Sequence, residues 1–170
     1  MQKPQVFPIG NSLHREIQQW LDQLYRTEAV LMQGSSLQQG RQLFVTPERA
    51  AQYLAPLEQF ARQQTGEANL ITANCWATEG APGSYHTLHH HQNYQGRRIA
   101  YSMITYIDIP EGCSDAWGPD GNTVFVLAGA VEEIVPTAGS AVIFPSDTLH
   151  GVYPHREGVR RCFNIDFRYK

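Results

Sequence analysis

Gly83-Ser-Tyr-His-Thr-Leu-His-His-His-Gln-Asn93 carries four of the seven histidines of this 170-residue chain, and a fifth, His150, closes the downstream run Phe144-Pro-Ser-Asp-Thr-Leu-His150. In an extended strand side chains alternate between faces, so His89 and His91 point one way and His90 the other. Two imidazoles on one face, joined by a third from a distant strand, offer a transition metal facial coordination with positions left open for chemistry. The plainer alternative is a solvated polar loop with chance histidines. Three consecutive histidines just ahead of a strand favour the metal site.

Around this segment the pattern is that of a β protein. From Ala68 onward short β-rich runs alternate with Gly, Pro, Asn and Asp: Asn69 to Trp76, Ile99 to Ile109, Thr123 to Leu127, Ser140 to Phe144 and Arg160 to Phe167. Such regularity predicts an antiparallel sandwich or barrel. The first third reads differently. Ser12 is placed as the cap of a helix through about Tyr25, with Ile17, Trp20, Leu21 and Leu24 on one face. Thr46-Pro47-Glu48 starts a second helix, whose apolar face of Tyr53, Leu54, Leu57, Phe60 and Ala61 runs until Gly66. The expectation is one domain over 1–170, with a helical part at 1–67 covering a β core at 68–170.

The final run, Arg160-Arg-Cys-Phe-Asn-Ile-Asp-Phe167, can be read by parity. Phe163, Ile165 and Phe167 fall at every second position and are assigned to the barrel interior, which places Arg161 inside and Arg160, Cys162, Asn164 and Asp166 outside. A guanidinium inside a barrel must be paired, and a bidentate carboxylate is the natural partner. An internal Asp or Glu of the chain would serve equally.

Composition removes other classes. Hydrophobic residues make up 42% of the chain and charged ones 17%, which suits a globular core. A formal net charge of −3 leaves no basic field for a phosphate backbone, so no nucleic-acid partner is expected. No run approaches the ~18 apolar residues of a membrane span, and Met1 to Ile9 lacks the apolar core of a signal peptide. A cytoplasmic protein with no membrane partner is therefore expected. Cys75, Cys113 and Cys162 have no paired spacing and read as reduced and structural.

Taken together, Gly83-x-Tyr85-x-x-x-His89-x-His91-x-Asn93, the Ser102 to Tyr106 run ahead of Ile107-Asp-Ile-Pro-Glu-Gly112, Pro136-x-x-Gly139, Phe144-Pro-Ser146-x-x-x-His150-x-Val152-x-Pro154 and Arg161 resemble the Fe(II)/2-oxoglutarate oxygenases over roughly residues 70 to 168. The resemblance implies a double-stranded β-helix, a jelly-roll or cupin-like barrel, mainly β with flanking N-terminal helices. It implies Fe(II) held by His89, His91 and His150, and 2-oxoglutarate anchored by Arg161 with Tyr106 hydrogen-bonding the same carboxylate. It further implies hydroxylation of a small-molecule or peptide substrate, with succinate and CO2 as co-products. Most members of that superfamily carry His-x-Asp/Glu before the distal histidine, whereas this chain has His91. Asp115 and Asp120 are the carboxylates that could supply the missing charge.

The remaining candidates are weaker. Trp117, in the turn-rich loop Gly112 to Gly121, is placed as a lid or substrate wall, and Tyr85 belongs with it on the substrate side. His86 either orients substrate or is solvated, with solvation the preferred reading. His90 is placed outside the ligand set, His155 outside the barrel, and His14 on the first helix without a partner. Homodimer formation is left open. Two alternatives stand beside the oxygenase: a cupin-like three-histidine metalloenzyme that does not use 2-oxoglutarate, and a non-catalytic metal-binding domain.

Overall fold

The computed structural model describes residues 4–28, 36–111, 113 and 120–170. Its frame is a long strand, β3 (Leu70–His89), because three others pair with it. Its first half runs antiparallel to β11 (Arg160–Tyr169), β2 (Leu37–Val45) lies antiparallel along it, and its far end meets β10 (Leu149–Val152) so that His89 stands opposite His150. On one side the sheet continues from β11 through β6 (Tyr101–Asp108) and β9 (Ser140–Pro145) to β1 (Val6–Pro8). On the other it continues from β10 through β7 (Thr123–Leu127) to β8 (Ala130–Ile134). Every pairing is antiparallel, and the length of β3 lets it serve both layers of a double-stranded β-helix. A hairpin of β4 (Asn93–Tyr94) and β5 (Arg97–Arg98) turns through Gln95 and Gly96, both at positive φ, 48° and 74°, as a two-residue turn of this hand requires.

Two helices, α1 (Asn11–Thr27) and α2 (Ala51–Thr65), cover the outer face of the larger layer. Their buried residues, Ile17, Leu21, Leu57 and Ala61, form one core with Phe163, Ile165 and Phe167 of β11. Trp20 joins the pieces, stacked on Tyr53 at 4.5 Å and edge-on to Phe163 at 5.4 Å. Ser12 is not the cap expected of it: Gly10 occupies that position, and the Ser12 hydroxyl donates to Glu16 at 2.9 Å. The α2 turn does begin at Thr46, whose carbonyl accepts from Arg49 at 3.0 Å and Ala50 at 3.2 Å, and it closes on Gly66 in the left-handed conformation.

Two expectations are corrected here. The first 67 residues are not only helical, since β1 and β2 are strands of the main sheet. In β2 the pairing with β3 overrides a weak sequence signal, a Gln-rich run irregular around Gln39 at φ 56°. The parity of β11 is also reversed. Phe163, Ile165 and Phe167 face the helices, and Arg160, Cys162, Asn164 and Asp166 face the barrel. The barrel's closed end holds a second, smaller apolar cluster around Tyr106, Phe125, Val142 and Phe144.

Phe163→Ala should therefore destabilise the protein by ~3–5 kcal/mol, since a fully buried ring at the helix–sheet junction leaves a cavity. Phe44, 65% exposed, should cost under ~0.5 kcal/mol on the same change, read as urea midpoints. All three cysteines are free, and burial pushes the Cys75 thiol up to about 12 and raises Cys113 and Cys162, which keeps them as thiols. Among the described residues no helix is long and apolar enough to cross a membrane.

Candidate metal centre

His150 is fixed first. Its strand lies between β3 and β7, its side chain is 3% exposed, and its ring packs on Phe144 at 4.7 Å and Phe125 at 6.1 Å. Burial pushes its pKa down to about 3, and burial likewise lowers His89, so both are neutral near pH 7, the form a metal takes. His89 ends β3 with its ring 4.3 Å from that of His150. His91 lies beyond the strand, where its backbone N–H donates to the Ser146 carbonyl at 2.8 Å. Alternation alone therefore does not place it. The hydrogen bond to Ser146 does, and it brings the His91 ring 5.0 Å from His89 and 5.2 Å from His150.

The donor atoms of His89, His91 and His150 lie within 4.8 Å of one another. Each Nδ1 is already engaged: with Thr87 O at 2.7 Å for His89, Thr148 O at 2.9 Å for His150 and Asp166 Oδ1 at 2.9 Å for His91. Acceptors at all three Nδ1 atoms hold the Nδ1–H tautomer and leave each Nε2 with its lone pair for a cation. Ser36 Oγ lies 3.3 Å from His89 Nε2. The donor set suits a first-row divalent metal.

The three histidines line a cavity of about 430 Å³ that Arg160 also lines. Arg160 is 6% exposed, its Nη2 donates to Thr123 Oγ1 at 3.3 Å, its guanidinium lies 5.6 Å from the centre of the Tyr106 ring, and its Nε has no partner among the described residues. No carboxylate among the described residues forms an ion pair with it. A buried guanidinium that faces a cavity, with no carboxylate among the described residues on it, is the complement of an anionic ligand.

Arg161, expected in that role, is engaged elsewhere. It binds Glu79 at 2.6 Å, Asp22 at 2.5 Å and Asp108 at 3.4 Å, tying α1 to β3 and β6. Tyr106 is fully buried and its hydroxyl donates to Thr123 Oγ1 at 2.8 Å, so it supports Arg160 from below.

The other candidates separate clearly. His86 is half-buried: it lines the cavity, sits 3.1 Å from Ser36 Oγ, and is held well below the usual imidazole range by burial and then by Arg160. His155, expected outside the barrel, is 2% exposed with Nε2 at 3.3 Å from Gly158 O, and it does not line the cavity. His14 does have a partner, Ile107 O at 2.8 Å. His90 is exposed at the cavity edge, and Tyr85 is exposed and not part of the cavity wall. Asp120 pairs with Arg156 at 2.9 Å. Trp117 and Asp115 lie outside the described residues. Sequence reasoning missed Arg160 and Asp166, although both stood on the polar side of the β11 alternation.

No protein-family model matches this sequence, and no curated protein does. Solved structures do match. A Pseudomonas putida prolyl-4-hydroxylase superposes with a TM-score of 0.74 at 21% identity, covering 98% of this chain and 92% of its own. The viral collagen prolyl hydroxylase of Paramecium Bursaria Chlorella virus-1, in its 2-oxoglutarate complex, gives 0.71 at 14% identity, covering 99% and 97%. HygX from Streptomyces hygroscopicus, with nickel and 2-oxoglutarate bound, gives 0.69 at 12%, covering 98% and 83%. The chain thus has the fold of 2-oxoglutarate and iron oxygenases over nearly its whole length.

Proposed function

We propose that this protein is an iron(II)- and 2-oxoglutarate-dependent oxygenase in which His89, His91 and His150 hold the metal and Arg160 binds the far carboxylate of the co-substrate. The observation that carries the reading is the buried Arg160, which no carboxylate among the described residues neutralises, in the same cavity as the three histidines. The shared fold supports it, as does the fit of the donor set to a first-row metal.

When bound, iron(II) and 2-oxoglutarate supply an oxidant for hydroxylation, with succinate and carbon dioxide as co-products. The chain's contribution is positional. The imidazoles of His89, His91 and His150 would hold the metal with coordination positions to spare for other ligands. Arg160, supported by Tyr106 and Thr123, fixes one end of a dicarboxylate and thereby its orientation. Ile104 and Phe144 line the inner wall, while Trp76, in contact with His91 at 5.3 Å, and the exposed Phe44 form the side open to substrate. The substrate is a small molecule or a peptide side chain.

Anaerobic addition of iron(II) and then 2-oxoglutarate should produce a visible charge-transfer absorption, and admission of oxygen should yield succinate. Bound iron with neither absorption nor succinate would instead favour the three-histidine enzyme without 2-oxoglutarate, a reading that the imidazole-only donor set keeps open.

A further inference from the structure

Asp166 is an uncommon residue: a carboxylate 4% exposed on the barrel's inner face, with no arginine or lysine among the described residues in an ion pair with it. Its Oδ1 accepts from His91 Nδ1 at 2.9 Å and from Ser102 Oγ at 2.7 Å. Ser102 is its cross-strand partner on β6, so the sheet itself sets that contact. Burying a carboxylate is costly where no arginine or lysine pairs with it. The other two histidines of the cluster rest their Nδ1 atoms on backbone carbonyls, which carry no net charge. His91 alone rests on an anion.

We propose that Asp166 is a positioning residue for the metal, acting through the His91 ring and returning to the centre the negative charge that a directly coordinated carboxylate would have brought. The inference rests on the metal reading above. A divalent ion on three neutral imidazoles has a charge of +2, and the buried Asp166 lowers the whole assembly to +1, as one carboxylate among the ligands would. Asp166 also locks the His91 proton on Nδ1, so that Nε2 faces the cation, and polarises the ring toward stronger donation. The ion in turn satisfies a carboxylate that otherwise lacks a cationic partner. Asp166 is not itself within the donor cluster.

The test compares Co(II) dissociation constants, measured by chelator competition, for wild type, Asp166→Asn and Ser102→Ala, with apo and loaded melting temperatures for each. Wild type binding one Co(II) establishes the metal reading independently, and failure there sinks that reading rather than this one. Asp166→Asn keeps an acceptor oxygen near His91 but removes the charge, and should weaken binding about 10- to 100-fold. Because it removes a buried anion, the same change should leave the apo protein as stable as wild type or more so, while shrinking the rise in melting temperature on loading. A purely structural role would lower both temperatures together. Ser102→Ala, which spares the charge, should change affinity by no more than about threefold. Should Asp166→Asn not fold, unaltered Zn(II)-loaded protein with labelled histidine decides the matter: one of the three Nδ1 protons must be shifted downfield of the other two by its charge-assisted bond. Unchanged affinity in a folded Asp166→Asn protein, or three equivalent proton resonances, overturns the proposal.

Discussion

Replacing His150 with alanine should leave purified protein without stoichiometric metal after dialysis. Loss of an outer hydrogen-bond partner of a ligand costs roughly 10- to 100-fold in metal affinity, and loss of the ligand itself must exceed that. His89→Ala and His91→Ala should behave in the same way, because the three donors lie within 4.8 Å of one another. His150 carries a second consequence. Its ring fills the space beside Phe125 and Phe144, so the alanine variant should also melt earlier, while exposed His90→Ala should change neither metal content nor melting. His86→Ala should keep its metal. A His90→Ala protein emptied of metal, beside a His89→Ala protein still loaded, would mean that the ligand set is drawn wrongly.

Arg160→Ala should lower 2-oxoglutarate affinity by about 30- to 1000-fold, the ~2–4 kcal/mol of a charge-assisted bidentate contact in a shielded pocket. Arg160→Lys should recover only part of it, since an ammonium retains the charge but not the planar fork. Metal affinity in the absence of co-substrate should stay near wild type in both. Arg161→Ala should do the reverse. Its partners Glu79, Asp22 and Asp108 join helix to sheet, so stability should fall by ~1–3 kcal/mol with co-substrate affinity intact. Isothermal titration of anaerobic, metal-loaded protein, paired with urea denaturation, measures both quantities. Intact affinity in Arg160→Ala together with a loss in Arg161→Ala would return the anchor to the residue that parity had chosen.

That exchange of neighbours shows where sequence reading stops. The alternation of Arg160-Arg-Cys-Phe-Asn-Ile-Asp-Phe167 is plain, and it states correctly that the strand has an apolar and a polar side. It does not say which side is the inside of the barrel. The apolar side is buried under α1 and α2, where Phe163 meets Trp20, and the polar side faces the cavity. A barrel that holds a ligand inverts the habit of equating interior with apolar. Lone histidines raise the same difficulty: His155 and His14 gain their partners, Gly158 O and Ile107 O, from chain folded back on them.

By itself the sequence determined the β-rich second part, the strand Thr123–Leu127 to the residue and the helices ahead of it, and it singled out the three histidines that the fold brings within 4.8 Å of one another. These are local matters, since residue type, turn chemistry and side-chain period act within a few positions along the chain. Tertiary structure alone decided that β2 joins the sheet, that Arg160 rather than Arg161 meets the cavity, and that Asp166 stands behind His91. Each of these depends on contacts across long separations in sequence, 75 positions between His91 and Asp166 and 139 between Asp22 and Arg161. Periodicity within one strand carries no record of which distant strand or helix will cover each face, and burial, counter-charge and hydrogen-bond partners are all properties of that covering.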